Sequence, residues 1–152
     1  MSFLGGMNSI RFEQSIELPY SQGQLFDLVA DIESYPEFLD EYIEAKIHSR
    51  TGNLVLVDQV IGLPLVNVSL RAEATFNRPE LIVVRSSQFL FGEMEIRWSF
   101  TSNHVGAHVD FQMALTPPSR FGAGLAEYLM EKSAARTLLA FAARAAKLYG
   151  EG

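Results

Sequence analysis

Val66-Asn67-Val68-Ser69-Leu70-Arg71-Ala72-Glu73-Ala74-Thr75-Phe76 alternates apolar and polar residues without a break. Successive side chains of a strand point to opposite faces, so this stretch reads as a half-buried antiparallel strand with Val66, Val68, Leu70, Ala72, Ala74 and Phe76 facing inward. The same period recurs at Ile10/Phe12/Ile16/Leu18, at Met94/Ile96/Trp98/Phe100 and at Val105/Ala107/Val109/Phe111/Met113/Leu115. A sheet with one apolar face requires a cover, and the only segment long enough to supply it is Ser119 to Gly150. On a helical projection Met130, Ala134, Leu138, Phe141, Ala145 and Leu148 form one stripe, with Lys132, Arg136, Arg144 and Lys147 opposite. A helix is about 10 Å wide with its side chains, whereas six or seven strands make a sheet roughly 25 to 30 Å across. The sheet must therefore curl around the helix, and the space left between them suits an apolar ligand.

Working outward, Ser21-Gln22-Gly23-Gln24 has the form of a capping box followed by Leu25, Leu28, Val29 and Ile32 at helical spacing. Ser34-Tyr35-Pro36-Glu37 repeats the device. Two short helices are thus expected after the first strand. A meander of strands follows from Tyr42 to Leu115, punctuated at Thr51-Gly52-Asn53, Gly62-Leu63-Pro64, Asn77-Arg78-Pro79 and Asn103. Pro117-Pro118-Ser119 ends the last strand, with Ser119 as helix N-cap, and Gly150 stops the helix. Gly122 and Gly124 weaken its first turn, which is expected either to fray or to start nearer Ala123. The fold class expected is α+β: a curved antiparallel sheet of six to seven strands wrapped around a long C-terminal helix.

The 152 residues are read as one domain, 1–152, with residues 1–8 as a flexible N-terminus. Zero Cys excludes a disulfide scaffold, thiolate catalysis and Cys-type metal sites. A formal charge of −6 opposes phosphate backbones, so no DNA partner is expected. MSFLGGMNSI lacks the basic region of a signal peptide, and no apolar run approaches the ~20 residues that cross a bilayer. The expected location is cytoplasmic, with peripheral contact to the inner membrane left open. Oligomeric state is not legible.

Three segments carry a resemblance. Asp31-Ile32-Glu33-Ser34-Tyr35-Pro36-Glu37-Phe38-Leu39 is similar to an Asp-Val-x-x-Tyr-Pro-x-Phe-Leu signature. Phe91, Met94, Trp98 and Phe100 match the spacing of a Gly-Pro-Phe-x-x-Leu-x-x-x-Trp-x-Phe segment, and Phe141, Arg144, Ala145, Tyr149 and Gly150 match a closing Phe-x-x-Arg-Ala-x-x-x-x-Gly. The chain resembles the START-like superfamily, the polyketide cyclase/dehydrase and lipid transport group. Within it the chain looks most like the coenzyme Q-binding protein family, which in bacteria also includes ribosome association toxins. It departs from the family at Asp40-Glu41, where Pro-Trp is usual, and at Phe89-Leu90, where Gly-Pro is usual. The resemblance implies a helix-grip fold and an apolar cavity holding a ubiquinone-like lipid for membrane respiratory enzymes, with no redox reaction by the protein itself.

Candidate ligand-binding residues are Tyr35, Phe38, Leu39, Leu63, Phe91, Met94, Trp98, Met130, Leu138 and Phe141, with Tyr35 and Phe38 on the second short helix as a lid over the mouth. Met94, Met113 and Met130 would give an adaptable lining. Trp98 faces inward, where its indole N–H needs an acceptor. Phe89-Leu90-Phe91 is an apolar run where a polar turn is usual, either an exposed contact or a bulge that fills the core. Lys132, Arg136 and Lys147 on the basic helix face are the candidate contacts to anionic lipid or to a ribosome; the simpler alternative is a solvated face. His48, His104 and His108 have no metal-ligand spacing and read as solvated, as do Arg71 and Arg97. Glu127 projects near the apolar stripe, four residues before Glu131, a weak acid/base pair at best. No catalytic, metal or cofactor residues are assigned. The leading reading is a non-enzymatic carrier of a hydrophobic ligand; a ribosome-associated translation regulator and a cyclase-like enzyme are the alternatives.

Overall fold

The computed structural model describes residues 9–63, 65–89, 92–117 and 123–150. Strands β1 (Ile10–Leu18), β2 (Tyr42–Thr51), β3 (Leu54–Leu63), β4 (Val66–Asn77), β5 (Leu81–Phe89), β6 (Gly92–Ser102) and β7 (Ala107–Thr116) form one curved antiparallel sheet. Its order is β1-β7-β6-β5-β4-β3-β2. Helix α1 (Gln22–Ala30) and a 3-10 helix (Ile32–Glu37) link the two edge strands, and helix α2 (Ala123–Tyr149) packs on the inner face. The initial eight residues, Pro64, Leu90, Phe91 and the proposed cap Ser119 lie outside the described residues.

The alternation of β4 is real from Val68 to Ala74, where Val68, Leu70, Ala72 and Ala74 are buried between exposed neighbours. It stops at the hairpin end, where Val66 is exposed. Likewise Val105 lies in the turn before β7, not on its inner face. Register shifts between Tyr42 and Glu44, Ile47 and Ser49, and Ser86 and Phe89 mark bulges. Such extra residues bend a strand and increase its twist, which is how a sheet closes on a single helix. The last of these shifts falls before Phe89 in β5, whereas the bulge expected within Phe89-Leu90-Phe91 extends to Leu90 and Phe91, outside the described residues.

On α2 the buried residues are Ala126, Met130, Ala134, Leu138, Phe141 and Ala145. The stripe continues four residues on to Tyr149, which packs against Tyr20 at 5.9 Å and donates its hydroxyl to Gln24 O. Leu148, expected inside, is 50% exposed. Gly150 takes φ +82° and its N–H bonds Ala146 O, closing the helix as expected.

Ser21 caps α1 through both halves of the capping box with Gln24. The second box does not form. Ser34 sits inside the 3-10 helix and donates to Asp31 Oδ2, and Phe38 follows the helix as its C-cap residue.

The β1–β7 pair carries a charged cluster on its outer side. His108 Nδ1 lies 2.5 Å from Glu17 Oε1 and its Nε2 lies 3.0 Å from Asp110 Oδ1, so this histidine is engaged rather than merely solvated. The hydrogen bond to Glu17, then that to Asp110, raises the His108 pKa above its ordinary 6.5. The same bond, with one from Asn103, lowers Glu17 below 4.5. A raised histidine stabilises the fold fully below pH 6.5 and loses that effect as pH rises through its folded pKa; a lowered glutamate stabilises above pH 4.5 and loses it as pH falls. The cluster therefore supports the edge strand best between about pH 4.5 and 6.5. The Tm advantage of the native chain over His108→Gln is expected to be larger at pH 6 than at pH 8.5, and a pH-independent difference would refute this account.

Candidate functional site

The inner face of the sheet and α2 do not close completely. Between the start of β2, the end of β3 and α2 lies a cavity of about 100 Å³ lined by Leu63, Ile61, Met94, Met113, Leu129 and Met130 among others. A deeper chamber of about 40 Å³ is bounded by Tyr35, Leu39, Trp98, Phe111, Thr137 and Phe141 among others. The two share Tyr42, Gln59, Met94, Ile96, Met113 and Ser133 in their walls. Three methionines thus surround the outer chamber, and unbranched thioether side chains rearrange readily to admit a larger occupant. Lys132, Arg136 and Glu41 supply the polar rim of the outer chamber.

Of the residues singled out from sequence, Leu63, Met94 and Met130 line the outer chamber, and Tyr35, Leu39, Met94, Trp98 and Phe141 the inner one. Leu138 is buried but lines neither. Phe91 lies outside the described residues. Tyr35, expected at the mouth, is buried and lines the inner chamber, with its hydroxyl donating to Val29 O. Burial, then the charges of Tyr42 and Asp31, raise its pKa well above the ordinary range. Phe38 lies outside both chambers, edge-on to Phe141 at 5.1 Å.

The basic face is smaller than its projection. The Arg144 side chain is only 13% exposed; its guanidinium covers the Phe38 ring at 5.1 Å and lies 3.6 Å from Glu37. Placing a charge over an aromatic face offsets part of its desolvation. Arg136 pairs with Glu41 at 2.5 Å, and Glu41 also accepts from Ser133. Lys132 sits 5.5 Å over the Tyr128 ring. Lys147 is exposed. Glu127 is also exposed and not near the cavity lining. On the outer sheet surface Arg71 forms a bidentate pair with Asp58, and Arg97 is half-buried. Among the described residues no group of three His, Asp or Glu could hold a metal ion, and no helix is long and apolar enough to cross a membrane.

Two wall residues escaped the sequence reading. Gln59 is 6% exposed, on the inner face of β3 between Val57 and Ile61. Tyr42, at the start of β2, has a phenol pushed up to about 12, by burial first and then by the Glu41 charge, so it remains a hydroxyl donor. The alternation Val55, Val57, Ile61 would have pointed to Gln59 had polar residues in apolar registers been sought.

The family model for polyketide cyclase / dehydrase and lipid transport matches residues 18–142. The ribosome association toxin RatA of Rickettsia prowazekii is 30% identical over 106 residues, 67% of this chain and 73% of that protein. The mitochondrial coenzyme Q-binding protein COQ10 homolog B of Xenopus laevis is 23% identical over 150 residues; the match covers 95% of this chain but 62% of the frog protein, less than two thirds of its length. Among solved structures, Zhui aromatase/cyclase of Streptomyces sp. R1128 superposes with TM-score 0.82 at 13% identity, covering 95% of this chain and 98% of that one. A START superfamily protein of Mycobacterium smegmatis gives 0.80 at 14% identity over 91% and 98%. The chain spans about half of a matching di-domain aromatase/cyclase. At such identities the structural likeness is one of fold. With the helix-gripping sheet, its cavity and a family model spanning most of the sequence, the chain belongs to the polyketide cyclase/dehydrase and lipid transport family.

Proposed function

We propose that this protein binds a hydrophobic ligand, a quinone or other isoprenoid lipid, between sheet and α2 and acts as a carrier or chaperone for membrane respiratory enzymes. The observation that carries the reading is the two-chambered, methionine- and aromatic-lined cavity. In this reading Tyr35, Leu39, Leu63, Met94, Trp98, Met130 and Phe141 contact the ligand. The frog relative's name supports a quinone. Exposed Leu65, at the β3–β4 turn just beyond Leu63, exposed Leu125, one turn before Leu129, and exposed Tyr128 beside Leu129 are apolar side chains near the outer chamber that support a membrane-facing mouth.

Trp98 is the only tryptophan, so its fluorescence reports on the inner chamber without mutation. Lipid extraction and mass spectrometry of purified protein should recover an isoprenoid quinone, and an added, fully substituted benzoquinone should quench most Trp98 emission at saturation. Absence of both sinks the reading. A second reading, favoured by the RatA match, is ribosome association through Lys132, Arg136 and Lys147. Salt-sensitive co-sedimentation with ribosomal subunits, lost on Arg136→Glu with Lys147→Glu, would support it; no co-sedimentation at low salt would remove it.

A further inference from the structure

Gln59 is the anomaly of the inner face. Its neighbours in register are Val55, Val57 and Ile61, all buried, and a leucine there would complete an apolar wall. Instead a carboxamide, more than nine-tenths buried, makes no side-chain hydrogen bond to any described residue. The same holds for the Trp98 indole N–H and the Tyr42 hydroxyl. Arg144 Nε is sealed from solvent without a partner, whereas the polar atoms of these three are not sealed. Gln59 and Tyr42 stand in the wall common to both chambers, and Trp98 lines the inner one. Left unpaired by an apolar occupant, such an amide would cost about 1 to 3 kcal/mol, a cost that a ligand group accepting its hydrogen bond would offset.

We propose that Gln59, with Tyr42 and Trp98, forms the polar recognition point of the cavity and donates hydrogen bonds to a carbonyl oxygen on the ligand's ring. The inference rests on the hydrophobic-ligand reading above and names the head-group chemistry that reading leaves open. An indole nitrogen can only donate, and amide and phenol can each donate, so the matching group is an oxygen that only accepts. An aromatic or quinonoid ring bearing carbonyls fits, while a plain hydrocarbon leaves all three donors unmatched. Sites that hydrogen-bond a ligand group discriminate against analogues lacking it, because the buried site groups are then left unpaired.

The test uses two ligands of one shape: a trimethyl-pentyl-1,4-benzoquinone, fully substituted so that it does not add to lysines, and pentylpentamethylbenzene, with methyls where the carbonyl oxygens stand. Isothermal titration should show the native protein preferring the quinone by about tenfold or more, the equivalent of one good hydrogen bond. Gln59→Leu should erase most of that preference, leave the hydrocarbon within about twofold, and give a ligand-free Tm equal to or above native. Tyr42→Phe should weaken the quinone alone. Should Gln59→Leu fail to fold, the near-isosteric Gln59→Met serves in its place. Equal binding of both ligands by the native protein, or an equal loss of both in the variants, overturns the recognition point but leaves the hydrophobic-ligand reading intact. Failure of the native protein to bind either ligand overturns both.

Discussion

Phe141→Ala is expected to lower stability by about 3 to 5 kcal/mol, a fall in Tm of about 6 to 20 °C for a chain of this length. Phe141 is buried on α2 where its ring meets Trp98 of β6 at 4.9 Å, Phe38 at 5.1 Å and Tyr35 at 5.4 Å, all edge-to-face. Each such pair contributes about 0.5 to 1.5 kcal/mol beyond burial, and truncation removes all three together. The rings come from the helix, the sheet and the segment joining its edges, so no single element can move in to fill the gap. The loss should sit near the upper end of the range for that reason. Urea denaturation followed by circular dichroism measures it, with Phe141→Leu expected to recover more than half. A loss under about 1 kcal/mol for the alanine variant would show that these contacts do not hold the helix on the sheet.

Gly106→Ala is expected to cost about 3 kcal/mol, from strain and collision together. Gly106 has φ +153°, and an added Cβ would lie 2.3 Å from Leu18 O and 2.7 Å from Tyr20 N. Those are backbone atoms of the chain leaving β1, so relief requires moving the edge strand itself. The turn leading to Gly106 is already committed, since Asn103 Oδ1 accepts from the N–H groups of both Val105 and Gly106. Gly150→Ala is the control: it also has positive φ, +82°, but nothing within 4 Å. It should cost only about 1 kcal/mol. Thermal melts of the two variants separate collision from strain, and equal losses would mean that the contact with β1 is unimportant.

Elements ruled by local periodicity were legible in the sequence. The inner face of β4, the capping box at Ser21 and the stop at Gly150 all follow from neighbours a few residues away. Arg144 projects with the basic face but falls in the closing motif, where a structural pairing is expected, and Phe38 and Glu37, over a hundred residues earlier, draw it inward. Where reading failed, a distant partner decided. Tyr35, beside a proline, is expected at the mouth, but it is edge-on to Phe141, over a hundred residues on, and lines the inner chamber. Arg136 is tied to Glu41, within the departure Asp40-Glu41 from the family signature, and the pair gives the outer chamber a charged rim. Gln59 was visible by register and was passed over because its chemistry, not its position, is out of place.

The pairing of β1 with β7, Ile10 opposite Leu115 and Leu18 opposite Ala107, also sets a timetable for synthesis. Of the described strands, β1 leaves the ribosome first and is the last to find its neighbour. At about 5 to 20 residues per second, roughly a hundred residues of translation leave β1 without its partner for about 5 to 20 s. Through that interval Ile10, Phe12, Ile16 and Leu18 have no sheet to cover them. Slowing translation downstream of β1 should therefore lower soluble yield without changing the stability of the finished protein.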